Sequence, residues 1–181
     1  MKVFIASDIH GRILRLREML HAIDLFEPDK IVLLGDFLYN GPRNGVPDDY
    51  DPMECSQLLN RYAKKIIGIR GNCDSRVDEM LLRFPLEDSR QLYLCGYRCD
   101  MIHGDLLTGD LLNVSRGDIL MFGHTHVPML KKEDGVIYLN PGSISFPKNG
   151  SDPSYALMSD TIIQIKHLST HQDIMSLEIG F

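Results

Sequence analysis

Five short clusters along this chain supply two carboxylates, one amide and four imidazoles to a shell of nitrogen and oxygen donors. The clusters are Asp8-Ile9-His10-Gly11, Gly35-Asp36, Gly71-Asn72-Cys73-Asp74, His103-Gly104 and Gly123-His124-Thr125-His126. Nitrogen and oxygen donors with no obligatory thiolate suit Mn, Fe, Co, Ni or Zn rather than a soft metal or an all-oxygen calcium site. Asp8, His10, Asp36, Asn72, His103, His124 and His126 are too many donors for one tetrahedral ion. They fit a pair of divalent ions about 4 Å apart that share one carboxylate and leave positions open for water and substrate. Glycines beside the clusters let the backbone turn sharply and keep space clear at the metals.

Charge points to the kind of substrate. The chain carries a net charge of −6 over 181 residues, so as a whole it repels nucleic acid and anionic membranes. Two divalent ions, the two aspartates and one hydroxide would leave a local charge near +1, which matches a single phosphodiester anion. A small substrate is therefore expected, with no extended nucleic-acid groove. No apolar run approaches the roughly 18 residues that span a bilayer, so no membrane partner is expected. The apolar start Met1–Ala6 turns polar at Ser7-Asp8, too soon for a secretory signal, and a cytoplasmic location follows as an expectation. Cys55, Cys95 and Cys99 then read as reduced, packed side chains, and the nine methionines as core filler.

The clusters need elements to hold them, and each follows a strand-like run. Lys2 to Ser7, Lys30 to Gly35 and Ile66 to Arg70 read as buried strands, alternating with helical patterns from Ile13 and from Pro52. Asp51, Pro52 and Glu54 form a helix start in which Glu54 is expected to supply a capping carboxylate. Ser75-Arg76-Val77-Asp78 reads as a capping box. From Gln91 the texture turns to hairpins, around Gly96 and at Asp134-Gly135, with a strand over Asp118–Phe122 and two or three more between Tyr155 and Ile179. No linker or repeat interrupts the chain, so residues 1–181 read as one domain, two packed sheets with helices outside. In α/β folds ligands gather beyond the carboxyl ends of strands, which lets clusters distant in sequence share one site.

The order D-x-H-G, G-D, G-N-C-D, H-G, G-H-T-H resembles the calcineurin-like metallophosphoesterase superfamily. Within it the chain resembles the small YfcE-type phosphodiesterases, including G-P-R-N at Gly41–Asn44 and N-P-G-S at Asn140–Ser143. The resemblance covers essentially the whole chain. It implies an α/β fold, a four-layer α/β/β/α sandwich of two mixed sheets with the metals at the edge between them. It further implies that Asp8, His10 and His126 bind one metal, Asn72, His103 and His124 the other, and that Asp36 bridges. Manganese is the expected metal, with zinc, nickel, cobalt or iron sharing the donor preference. The implied activity is a phosphodiesterase that uses in-line attack by metal-bound hydroxide, without a phospho-enzyme. Relatives often associate, so a homo-oligomer is expected.

One position departs from the pattern. Many relatives carry histidine where this chain has Cys73, and a neutral thiol is a poor proton donor to a basic alkoxide. Substrates with good leaving groups are then favoured. Asn72, Cys73 and Asp74 are the candidate catalytic stretch, with Asp74 expected to orient a neighbour or cap the following helix. A nucleophilic role for Cys73 lacks the phosphate-cradling loop ending in Arg. Arg43, in a Gly/Pro-framed loop, is the candidate substrate clamp, against a solvated loop charge. Asn140-Pro141-Gly142-Ser143 reads as a turn, with Asn140 placed to support the site. His21, His167 and His171 lie outside the clusters and read as surface or packed side chains.

Other classes stand beside this reading. A phosphomonoesterase or pyrophosphatase would use the same metals. A non-catalytic interaction scaffold, as in a retromer subunit of this fold, tends to lose ligands, whereas every expected ligand is present here. A nuclease on long tracks is disfavoured by the charge, although a cyclic or short nucleotide diester is compatible.

Overall fold

A computed structural model describes residues 1–106 and 114–180. The elements run β1 (Val3–Ala6), α1 (Ile13–Phe26), β2 (Lys30–Leu33), α2 (Pro52–Leu59), β3 (Ile66–Ile69), α3 (Arg76–Leu81) and β4 (Leu86–Glu87). Then follow β5 (Ser89–Leu94), β6 (Tyr97–Ile102), β7 (Ile119–Met121), β8 (Met129–Glu133), β9 (Val136–Asn140), β10 (Ser154–Met158), β11 (Ile162–His167) and β12 (Asp173–Glu178). One mixed sheet has seven strands in the order β12-β11-β10-β1-β2-β3-β4, and the other five in the order β5-β6-β7-β9-β8. β1 to β4 run parallel, as do β6, β7 and β9.

The two-residue period of a strand explains why the central strands are apolar throughout. Phe4, Ala6, Ile31 and Leu33 face the helices, where Leu16, Met19, Cys55 and Leu59 complete one core. Val3, Ile5, Val32, Leu34 and Ile67 face the other way, onto Cys99, Met101, Ile119, Met121 and Leu139 of the second sheet. A helical layer, a sheet and a second sheet are thus stacked. The helical layer expected beyond the second sheet would fall in the β6–β7 crossover, of which 107–113 lie outside the described residues.

Local signals account for most boundaries. Asp51 caps α2 by accepting from the Glu54 amide at 2.8 Å, and Ser75 with Asp78 forms the reciprocal box that starts α3. The Glu54 carboxylate does not cap; it pairs with Arg17 of α1 and so ties the two helices together. Both hairpin turns place two residues at positive φ, Cys95-Gly96 and Asp134-Gly135, the backbone that matches strand twist. α1 has no side-chain cap of its own. Its first amides are met by the backbone carbonyl and carboxylate of Asp49, which also holds Arg12 at 2.8 Å. That contact draws the long loop after β2 back over the carboxyl end of the sheet. Among the described residues no helix is long and apolar enough to cross a membrane.

Candidate metal centre

All five clusters leave the carboxyl ends of their strands, β1, β2 and β3 from one sheet and β6 and β7 from the other. The loops continue the zippering of the strands. Asp8 N donates to Gly35 O at 3.1 Å, His10 N to Asp36 O at 2.8 Å, and Gly123 N to His103 O at 2.8 Å. Asp8, His10, Asp36, His124 and His126 all have positive φ, between 51° and 62°. Non-glycine residues avoid that region, and clustered strain of this kind is held only where surrounding bonds over-determine it. Here Ser143 Oγ donates to Asp8 O and Ser145 Oγ to Ile9 O, while Asn140 Nδ2 holds Gly123 O at 2.8 Å.

The side chains converge accordingly. His126 Nε2 lies 3.2 Å and His10 Nε2 3.8 Å from Asp8 Oδ1. Asp36 Oδ2 is 3.5 Å from both His10 Nε2 and His103 Nε2. Asn72 Oδ1 sits 3.0 Å from His103 Nε2 and 2.8 Å from His124 Nδ1. Asp8, His10 and His126 form one group with donor atoms within 4.8 Å of one another, and Asp8, Asp36 and His103 form another.

Tautomers decide what this convergence means. The Nδ1 atoms of His10, His103 and His126 face the carbonyls of Tyr39, Leu34 and Phe146 at 2.6–2.9 Å. A carbonyl only accepts, so each Nδ1 carries a hydrogen, and in a neutral ring Nε2 turns a lone pair inward; His103, paired with Asp36, keeps a proton on Nε2 as well until a cation replaces it. His10 Nε2 and His126 Nε2 then stand lone pair to lone pair at 3.4 Å. Both carboxylate oxygens of Asp8 are buried with no hydrogen-bond donor. Buried acceptors facing one another are costly unless a cation lies between them. The residues present therefore fit divalent metal ions.

Electrostatics within the protein say the same. Burial lowers the pKa of His10 and His124. Burial also opposes the charge on Asp36 and His103, yet each overcomes it through the other: His103 helps pull Asp36 down to about 2, and Asp36 pulls His103 up to about 9. The cluster as it stands recruits a positive charge.

The catalytic stretch divides into three roles. Asn72 joins the donors. Cys73 Sγ lies within 4.8 Å of donor atoms of His10 and Asp36, and burial, reinforced by Asp36, pushes its thiol up to about 12. Asp74 points away from the donors. Its Oδ2 accepts from the Asp36 and Gly71 amides and its Oδ1 from Phe37, which locks the β2 and β3 loops together while burial raises its pKa to about 7. A cavity of about 350 Å³ opens over the donors, lined by Arg43, Asn44, Cys73 and Lys148 among others. Arg43 and Lys148 are exposed and form no ion pair among the described residues. Sequence reasoning missed Lys148, Ser143 and Ser145, whose partners lie in other loops and leave no local signature. His21, His167 and His171 gather elsewhere; His171 Nδ1 meets the Tyr155 hydroxyl at 3.1 Å, and its ring stands 6.0 Å from that of His21.

Two substitutions test this scaffold. A methyl at Gly71 would sit 2.1 Å from Asp36 Oδ1, with the Asp36 amide also in the way. Gly71→Ala should lower metal affinity by at least about 100-fold, read by calorimetric titration with circular dichroism as the fold control. Asp74→Asn leaves one acceptor oxygen for three backbone donors. It should cost about 1–3 kcal/mol of stability in a denaturant titration and about 10–100-fold in metal affinity. Unchanged affinity would remove the positioning role.

Known proteins share the sequence and fold of this chain. The calcineurin-like phosphoesterase superfamily domain matches residues 1–161. The chain is 36% identical to phosphodiesterase YfcE of Escherichia coli K12, across 99% of both chains. A solved structure of YfcE, a phosphoesterase from E. coli, superposes with a TM-score of 0.95 at 36% identity, covering 99% of this chain and 100% of that one. Vacuolar protein sorting 29 from Cryptosporidium parvum shares the fold, with a TM-score of 0.67 at 19% identity, covering 99% of this chain and 98% of that one.

Proposed function

Because the chain belongs to the calcineurin-like phosphoesterase superfamily, we propose that the converging donors are its reaction centre and that it hydrolyses small phosphodiesters. It is a metal-dependent phosphodiesterase. The observation that carries the reading is the pair of donor-free Asp8 oxygens beside the facing Nε2 atoms of His10 and His126, too costly to bury without a cation. Asp8, His10 and His126 would hold one divalent ion, and Asn72, His103 and His124 the second, with Asp36 between them. Bound there, such ions supply Lewis acidity toward phosphoryl oxygens and make water ionisable near neutral pH.

The protein supplies orientation. Carbonyls of Tyr39, Leu34 and Phe146 hold the Nδ1 hydrogen of three imidazoles and fix the orientation of each ring. Arg43, on the loop tethered through Asp49, offers a forked donor to a non-bridging phosphoryl oxygen. Burial raises the Cys73 thiol to about 12, which makes it a poor general acid for a leaving alkoxide. A net charge of −6 favours short substrates over long nucleic acid. The reading extends to one domain over 1–181 and to self-association, carried by likeness to the family. It also extends to a cytoplasmic location, where four free thiols fit a reducing compartment.

One observation favours a second reading. Lys148 adds an unpaired cation to Arg43, and two such charges suit a dianionic monoester or an anhydride. One experiment separates the two. Chelator-stripped protein is reconstituted with Mn, Zn, Ni, Co or Mg and assayed on one aryl leaving group presented as diester and as monoester. We expect manganese to restore turnover, with the diester preferred. Full activity after stripping would end the metal-dependent reading, and none with any metal would end the enzyme reading.

A further inference from the structure

Beside the polar cavity runs a second depression of about 320 Å³, lined by Tyr39, Tyr50, Met53, Val77 and Leu81, and Cys73 lines both. From this adjacency we infer that the groove is the subsite for one ester substituent of the substrate, and that this substituent is a planar aromatic group. The inference rests on the phosphodiesterase reading and names the substrate class it acts on.

Three features carry it. Tyr39, Met53 and Val77 are 43%, 51% and 66% exposed, yet they line one depression rather than standing singly over the surface. The polar groups at its edge are already used, since Ser75 and Asp78 bond each other in the cap of α3. What is left is two tyrosines, a methionine and aliphatic carbon, a lining that suits a flat ring through stacking and sulfur contacts. The volume suits one ring system and is too small for a protein partner. Its inner end is a small thiol next to the metal donors, so a ring in the groove lies within a few bonds of phosphorus held over them.

The test compares ligands that share a headgroup and differ only in the ring. Calorimetry on manganese-loaded full-length protein would measure phenylphosphonate against methylphosphonate, and adenosine 5′-monophosphate against ribose 5-phosphate. The first pair places a ring directly on phosphorus, and the second places a base one ribose away, so the preferred pair identifies the source of the ring. We expect a preference of about 10-fold for the ring in one pair. Met53→Asp and Val77→Asp should reduce it to about 1, leaving the ringless ligand unchanged. Both positions lie in the first turn of a helix, where a carboxylate is tolerated, so folding is preserved. No preference in either pair, or one that survives both substitutions, would overturn the inference. So would variants that change the sedimentation coefficient while keeping the preference, since the groove would then hold a second copy of the chain. If none of the four ligands binds, the inference falls, and hydrolysis of an aryl diester by the same sample decides separately whether the phosphodiesterase reading stands.

Discussion

Replacing Asp36 by asparagine lowers phosphodiesterase turnover by roughly 10³-fold, equivalent to ~4 kcal/mol of transition-state stabilisation, and loosens both metal positions together. Its Oδ2 lies equally close, at 3.5 Å, to one imidazole of each ligand group. Its Oδ1 is occupied by the Cys73 amide at 2.9 Å. Asparagine keeps that second bond by turning its own oxygen toward the amide. It must then aim an NH2 group at the place where a shared anionic oxygen is needed. The fold is preserved and the proposed bridge would be lost. Metal analysis should give two ions per chain for the parent and clearly fewer for the purified variant. A variant that retains both ions at parental affinity would show that the bridge lies elsewhere.

Replacing Cys73 by histidine has the opposite sign and is selective. The thiol sits at the cavity wall with a pKa of about 12, driven up first by burial and then by Asp36. It is a far weaker acid than an imidazolium at neutral pH. An imidazole at the same place titrates near neutrality, and a positioned general acid contributes about 10²–10⁴-fold where the leaving oxygen needs a proton. Alkyl diesters should therefore gain about 10²-fold in kcat/KM, while nitrophenyl diesters, whose leaving groups depart as anions, change only a few-fold. Rates plotted against leaving-group pKa should become shallower in the variant. A uniform gain or loss across the series would mean that Cys73 acts only through packing.

Several features of the molecule were legible from neighbouring residues alone. The box at Ser75–Asp78, the cap at Asp51 and the turn at Asp134-Gly135 arise from interactions within four residues, so their signals are written locally. The two-residue strand β4 was not legible. It exists only because Gly68 and Ile69 offer a parallel edge to Leu86 and Glu87. Glu54 misleads for the same reason: its local context suggests a cap, and a distant Arg17 takes its carboxylate.

The donor set and its placement at strand ends were determined by the order of residues, because side-chain chemistry and hydrophobic period are local properties. Folding decided the rest: which imidazole nitrogen turns inward, the left-handed backbone at five donor residues, the arrival of Lys148, and the apolar groove beside Cys73. Each depends on groups that are distant in sequence and meet only in the folded chain. Ser143 and Asp8, 135 residues apart, meet only when two sheets stack and their loops close over the same edge.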